Sequence, residues 1–254
     1  MRAYCARYYD AYFVGVPGDT AFYVSRLRGV SGPVLEVGAG TGRLLLPLAE
    51  AGVEVIGLEP DAQLVARARR RLARAPARVR KRVRLVQGLV QDLDLGHAIG
   101  GVLIPYRGFQ HLLTPADQCQ ALGRLRDHLR PEGRLWMDTY DPLAEMLRSG
   151  PETALRLDTD FLDPETGRRV NVWYARRLDL ELQLLEQDLI FEEVGADDRT
   201  GRRTHSQLVL RYTPRQEMVY LLERCGFAVE ELYGDFAGGP YRGSGNQVWV
   251  VRRT

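Results

Sequence analysis

Cysteine is scarce in this chain. Cys5, Cys119 and Cys225 are the only three among 254 residues. An odd number of widely spaced thiols excludes a disulfide framework and offers no zinc-type spacing, so no metal site is expected. Lysine is rarer still: Lys81 stands alone, and arginine carries nearly all the positive charge. No apolar run approaches the roughly 18–20 residues that span a bilayer. The first residues, Met1-Arg2-Ala3-Tyr4-Cys5-Ala6-Arg7-Tyr8, lack the apolar core of a secretory signal. Together these absences predict a cytoplasmic protein. There are also no repeats and no low-complexity linkers.

An excess of one charge is missing too. The formal net charge is +2, which disfavours a nucleic-acid partner, whose phosphates call for a strongly basic face. One local run is basic: Arg67, Arg69, Arg70, Arg71, Arg74, Arg78, Arg80, Lys81, Arg82 and Arg84. Leu64, Val65, Ala68 and Leu72 keep helical spacing through its first part. The run therefore reads as a solvated helix face and its following loop rather than an RNA- or DNA-contacting face. Apolar residues make up 45% and charged residues 27%, the balance of an ordinary globular protein.

What is present is alternation. The length suits one large α/β domain, or a core with a modest insertion. Residues 3–28 read as helical and tyrosine-rich. Strands are expected at Val34–Val37, Val53–Leu58, Val83–Gln87, Val102–Ile104 and Arg134–Thr139. Between them, helices are expected at Gly42–Ala51, Asp61–Arg74 and Pro115–Leu129, the last with Thr114 as N-cap. This pattern implies a parallel sheet with helices on both faces. From about residue 151 it changes. Ala154–Phe161, Arg169–Leu178, Gln183–Val194 and Thr204–Tyr212 read as antiparallel strands, with turns at Asp163–Gly167 and Asp197–Gly201. Leu182–Leu185 is equally compatible with a helix. The α/β pattern returns with a helix at Pro214–Cys225 and strands at Phe227–Leu232 and Gln247–Val251, so the β-rich block is an insertion.

The segment Val34-Leu35-Glu36-Val37-Gly38-Ala39-Gly40-Thr41-Gly42-Arg43 runs a buried strand into a glycine-rich turn. Glycines there let the backbone approach a ligand, and a helix N-terminus beyond them offers unpaired N–H groups. Glu59 ends the second strand, where a carboxylate can accept both hydroxyls of a ribose. A dinucleotide site wants G-x-G-x-x-G. Here the spacing is G-x-G-x-G, and Arg43 occupies the sixth position. Glu36, two residues before the first glycine, would repel a pyrophosphate but welcome an ammonium. A methionine-bearing cofactor fits better than a dinucleotide.

Glu36-Val37-Gly38-Ala39-Gly40-Thr41-Gly42 resembles the first motif of class I S-adenosylmethionine-dependent methyltransferases. The likeness extends over nearly the whole chain. It is narrower for the bacterial small-molecule branch, which includes aminosugar N,N-dimethyltransferases and relatives of glycine N-methyltransferase. Tyr9-Asp10, the Phe22-Tyr23 pair, Phe109-Gln110-His111-Leu112 and an antiparallel insertion before the penultimate helix carry that narrower resemblance. It implies a doubly wound, mostly parallel seven-stranded sheet. It further implies an N-terminal helical lid over residues 1–30, a cofactor-binding core over 31–150 and 213–254, and an antiparallel β insertion over 151–212. The insertion would roof the substrate or pair subunits in a homodimer.

By position, the resemblance places Glu36 against the methionine amino group of S-adenosylmethionine. Gly38, Ala39, Gly40 and Gly42 would line the methionine and ribose. Glu59 would take the ribose diol, with Pro60 beside the adenine. Tyr23, Leu89, Val90, Ile104 and Pro105 complete the expected cofactor contacts, with S-adenosylhomocysteine as product. Two departures stand out. The family usually has Gly-Asp-Met after the third strand, where the Asp accepts from adenine. This chain has Gly88-Leu89-Val90-Gln91-Asp92, so the backbone, Gln91 or Asp92 must stand in. Gly100-Gly101 replaces the usual Phe-Asp before the fourth strand.

Methyl transfer needs an aligned, unprotonated nucleophile shielded from water. His111 resembles the histidine beside the amine in the aminosugar enzymes, and its ordinary pKa suits a base near neutrality. Its plainer reading is a packing or capping residue. Tyr9 resembles the lid tyrosine that reaches the substrate, against aromatic packing as the plainer role. Tyr106 and Arg107 are candidates for the acceptor site, Arg107 for an acidic acceptor. His97, His128 and His205 read as structural, Trp136 and Met137 as core. N-methylation of a small molecule leads, with O-methylation close behind. The competing readings are an RNA or DNA methyltransferase and a non-catalytic protein that binds S-adenosylmethionine without turning it over.

Overall fold

Val34–Val37 (β1), Val55–Glu59 (β2) and Ile99–Ile104 (β4) are short apolar runs buried on both faces, as the interior of a parallel sheet requires. Val83–Gln87 (β3), Leu129–Asp141 (β5), Phe227–Tyr233 (β10) and Gly245–Arg253 (β11) extend them into a seven-stranded sheet of order β10-β11-β5-β4-β1-β2-β3. β3, β2, β1, β4 and β5 run parallel to their neighbours, while β11 pairs antiparallel with both β5 and β10. This is the mostly parallel α/β sheet expected. The computed structural model describes residues 4–144, 153–195 and 200–254. They fall into two compact units, one of residues 16–141 and 213–254, the other of residues 1–15 and 142–212.

Alternation along each strand of the larger unit separates two cores. Leu35, Ile56, Val102, Ile104, Leu135 and Met137 pack with Leu122 and Leu125 of Pro115–His128 (α6) and Leu221 and Leu222 of Arg215–Arg224 (α7). Val34, Val55, Leu103 and Trp136 pack on the other side with Tyr23 and Leu27 of Asp19–Leu27 (α2) and Leu45 and Leu48 of Leu45–Glu50 (α3). Trp136 and Met137 are core, as their setting in the strand indicated. Local signals fix the helix starts. Thr114 Oγ1 accepts from Asp117 N at 3.1 Å with Pro115 in the first turn of α6, and Asp61 Oδ1 accepts from Gln63 N at 2.7 Å at the start of Ala62–Ala73 (α4). The basic run occupies α4, the short helix Ala77–Arg80 (α5) and β3.

Several boundaries shift for physical reasons. α3 begins at Leu45 rather than Gly42, because Gly42 has φ 81° and cannot open an α-helix. The helix expected to reach Leu129 stops at His128, and β5 starts at once, ahead of the expected Arg134. Residues 3–28 are not one helix: Gly15 and Gly18, at φ 98° and 86°, separate the single turn Tyr9–Tyr12 (α1) from α2. The doublet Gly100-Gly101 has a steric cause, since a Cβ on Gly100 would lie 2.1 Å from the Ser31 carbonyl oxygen.

The smaller unit is an antiparallel meander of Arg156–Leu162 (β6), Arg169–Asp179 (β7), Leu184–Val194 (β8) and Thr200–Arg211 (β9). Leu182–Leu185 therefore resolves as turn and strand. Asp163 caps the expected turn, accepting from Glu165 N at 3.0 Å and the Thr166 hydroxyl at 2.8 Å. Most of the second expected turn, Asp197–Gly201, lies outside the described residues. The first residues of the chain belong to this unit. Tyr8 stacks on Phe191 and donates to Glu193 Oε1 at 2.8 Å, while Arg7 bridges Asp163 and Glu193. The expected N-terminal lid is thus divided, with α1 in the smaller unit and α2 in the larger. Among the described residues no helix is long and apolar enough to cross a membrane, and no cluster of His, Cys, Asp or Glu could hold a metal ion.

Candidate active site

The site is built at the C-terminal ends of β1, β2 and β4, where an open α/β sheet leaves its crevice. Beyond β1 the backbone turns through Gly38, Gly40 and Gly42, with φ of 73°, 56° and 81°. Gly38 N and Ala39 N both donate to the Leu58 carbonyl, at 2.8 and 3.0 Å, which pins the turn to β2. A Cβ at Gly38 would meet no heavy atom within 4 Å. The loop therefore leaves room above its backbone for a ligand. Ala39 is buried beneath it.

Glu36 projects from β1 and is 2% exposed. Its Oε2 has no hydrogen-bond partner. Burial, opposed by Arg43 and reinforced by the Glu59 and Asp19 carboxylates, pushes its pKa up to about 8. An orphaned buried carboxylate is costly unless something completes it. Arg43 does not, because its guanidinium is bound in a fork to Asp19 at 2.7 and 2.9 Å. An amino-acid ammonium would complete it.

Glu59 closes the other side. Its Oε2 accepts from Gly40 N and its Oε1 from Asp61 N, both at 2.9 Å. Burial raises its pKa while these two N–H groups oppose the rise. The carboxylate braces the glycine turn and still has lone pairs for a diol. Pro60 follows it at the strand end. Glu36, the open glycine turn and Glu59 fit the ammonium, the chain and the ribose of S-adenosylmethionine in order.

The family model of a methyltransferase domain matches residues 34–133. The cypemycin N-terminal methyltransferase of a Streptomyces species is 26% identical over 90% of this chain and 86% of its own length. The dTDP-3-amino-3,6-dideoxy-α-D-glucopyranose N,N-dimethyltransferase of Streptomyces fradiae is 33% identical over 45% of this chain and 42% of its own. The solved structure of the glycopeptide N-methyltransferase MtfA with S-adenosyl-L-methionine superposes with a TM-score of 0.61 at 28% identity, covering 95% of this chain and 96% of that one. The chain is a class I S-adenosylmethionine-dependent methyltransferase.

The remaining expected site residues of this methyltransferase divide between its two units. Ile104 and Pro105 are buried at the end of β4. Val90 packs into the core, whereas Leu89 is 44% exposed. Of the two stand-ins for the missing Asp, Asp92 is exposed and Gln91 holds its Oε1 buried without a hydrogen-bond partner. Tyr23 is fully buried and donates its hydroxyl to Asp138 Oδ1 at 2.6 Å. His111 closes the 3-10 helix Gly108–His111 after β4, half-buried, and burial pushes its pKa down to about 4. Tyr9 belongs to the smaller unit, edge-on to Tyr4 and tilted against Phe13.

Tyr106 and Arg107 follow β4 with φ of 50° and 63°. Successive left-handed residues of this kind cost on the order of 1–2 kcal/mol each. Arg107 lies over the Tyr140 ring at 4.4 Å. Buried Asp138, absent from the sequence-based reading, holds this region together with the buried amide of Gln110, which the sequence had offered only as part of a family-like segment. The one available signal was an Asp within the apolar run Leu135-Trp136-Met137-Asp138. A carboxylate there demands a reason.

A milder prediction attaches to Glu59. Glu59→Gln keeps the shape but weakens the charge-assisted bonds to the turn and the diol, and a loss of S-adenosylhomocysteine affinity of about tenfold is expected. Isothermal titration reads it; unchanged affinity would place the ribose elsewhere.

Proposed function

We propose that this methyltransferase methylates an amine nitrogen of a small-molecule acceptor, with His111 as the group that accepts a hydrogen bond from the amine N–H and orients its lone pair. The observation that carries this reading is the half-buried imidazole at the end of the 3-10 helix beyond β4, neutral at physiological pH because desolvation holds its pKa near 4. A neutral ring nitrogen keeps the acceptor's lone pair free, where an imidazolium would protonate or repel it. The aminosugar relative is an N,N-dimethyltransferase and the glycopeptide relative an N-methyltransferase, which supports the choice over oxygen.

Bound S-adenosylmethionine supplies an electrophilic methyl on a sulfonium centre. The chain's residues do the rest. Glu36 and Glu59 hold the two ends of the cofactor, and the glycine turn lets it lie against the backbone. Tyr106 and Arg107 bracket the acceptor, Arg107 favouring an acidic group on it. The near-neutral net charge of +2 supports a small acceptor over a nucleic acid. Free Cys5, Cys119 and Cys225 support a reducing, cytoplasmic setting. Exposed Leu155, Leu157 and Leu162 on and beside edge strand β6 support pairing of two copies through this sheet.

The test is incubation with S-adenosylmethionine and matched acceptors: an amino sugar, its hydroxy analogue, an amino acid and a short RNA. Gain of one methyl group by the amines, with equal release of S-adenosylhomocysteine, is expected. Transfer confined to the hydroxy analogue or the RNA would overturn the reading.

A further inference from the structure

The segment from Pro105 to Leu112 carries the groups assigned to the acceptor, yet its own sequence does not dictate its course. Tyr106 and Arg107 adopt φ of 50° and 63° in succession. In that region an L side chain crowds the following carbonyl, and neither residue is of the Gly, Asn or Asp type that tolerates it. The hold comes from β5. Asp138 Oδ1 accepts from Tyr106 N at 2.7 Å and Oδ2 from Arg107 N at 3.1 Å, and the Tyr23 hydroxyl reaches Oδ1 at 2.6 Å. Two residues further along β5, the Gln110 side chain adds a rung to the strand. Its Nε2 donates to the Tyr140 carbonyl at 3.1 Å and its Oε1 accepts from Tyr140 N at 2.8 Å. Both polar side chains are buried, at 2% for Asp138 and 3% for Gln110.

A buried carboxylate is a poor choice for stability alone, since an apolar residue of similar size serves a core at least as well. What a carboxylate offers is two acceptors in one plane, each bonding an N–H more tightly than a neutral amide does. Here the two go to consecutive N–H groups of a strained turn, and the third donor comes from α2.

We propose that Asp138 is a positioning residue for methyl transfer: it locks the left-handed Tyr106–Arg107 turn, and with Gln110 it fixes where Tyr106, Arg107 and His111 meet the acceptor. The inference rests on the methyl-transfer reading of this site. It identifies a residue that acts through others and touches neither cofactor nor acceptor.

Asp138→Asn is the test, because it keeps the shape but turns an N–H toward one of the two backbone donors. Hydrogen exchange at the Tyr106 and Arg107 amides is expected to quicken by about tenfold or more, as buried charge-assisted bonds are lost. Turnover at saturating S-adenosylmethionine should fall by about tenfold to thirtyfold through misaligned acceptor groups, with S-adenosylhomocysteine affinity kept within about twofold. Tyr23→Phe, which leaves both backbone bonds in place, should exchange like the wild type. Unchanged exchange in Asp138→Asn would overturn the proposal. So would quickened exchange with unchanged turnover, or cofactor affinity falling in step with turnover. A wild-type protein that methylates none of the acceptors would instead overturn the methyl-transfer reading, and the exchange comparison would still decide whether Asp138 holds the turn.

Discussion

Glu36→Gln is expected to weaken S-adenosylhomocysteine binding by about a hundredfold, on the order of 2–3 kcal/mol, and to abolish the proton release that accompanies binding. In the ligand-free protein, burial pushes the Glu36 pKa up to about 8, so the side chain is mostly protonated at neutral pH. Its Oε2 has no partner, and Arg43 is occupied by Asp19. An ammonium arriving at Oε2 favours the ionised form, and the proton leaves. As pH rises toward about 8, affinity should therefore rise by up to tenfold per unit. It should level off near pH 8, where Glu36 is already ionised and the ligand's own amino group begins to lose its proton. The sign for stability is opposite. A raised carboxyl pKa favours the ligand-free fold below 4.5, and that contribution is lost as pH climbs through about 8. The ligand restores it, so its thermal shift should be largest toward pH 8. Titration calorimetry in two buffers of different ionisation enthalpy measures the proton directly. No proton release by the wild type, or wild-type affinity in Glu36→Gln, would remove the ammonium from this position.

The residues proposed to hold the cofactor could be picked out from the sequence because their determinants are local. Glu36, the three glycines and Glu59 lie within one β-turn-α-β passage, and each residue type has a short-range physical reason. The surroundings of the residues proposed to meet the acceptor could not. His111 could be located beyond β4, but its setting depends on Asp138 holding the Tyr106–Arg107 turn and on Gln110 pairing with Tyr140, contacts some thirty residues apart along the chain that no periodicity encodes. Asp138 hid inside an apolar strand, where Trp136 and Met137 dominated the reading. The same distinction holds for the fold. Strand alternation gave the seven-stranded sheet and the antiparallel insertion, whereas the division of the N-terminal segment turned on Gly15 and Gly18 and on the contacts of Arg7 and Tyr8 with Asp163 and Glu193, pairs far apart in sequence. Gly100 shows the reverse case: a departure from the family pattern has a steric cause in the Ser31 carbonyl.

His111→Ala is expected to lower turnover by about a hundredfold to ten-thousandfold while leaving S-adenosylhomocysteine affinity unchanged, the range in which positioned proton acceptors act. The pH profile distinguishes this role from that of an ordinary histidine base. Burial holds the His111 pKa near 4, below the usual 6.5, so the neutral ring is present throughout the range from about pH 5 upward. Turnover should then show no acid limb near 6.5 attributable to this residue. A ring with so low a pKa is a weak store for a proton. Its contribution is to accept the amine's hydrogen bond as the nitrogen becomes positive, which orients the lone pair toward the methyl group. His111→Gln, which retains an acceptor of similar reach, should recover part of the activity lost in His111→Ala. An unaltered rate in His111→Ala would reduce the residue to packing. A limb at 6.5 in the wild type that vanishes in the variant would show a freely solvated imidazole, contrary to the desolvated one at the end of the 3-10 helix.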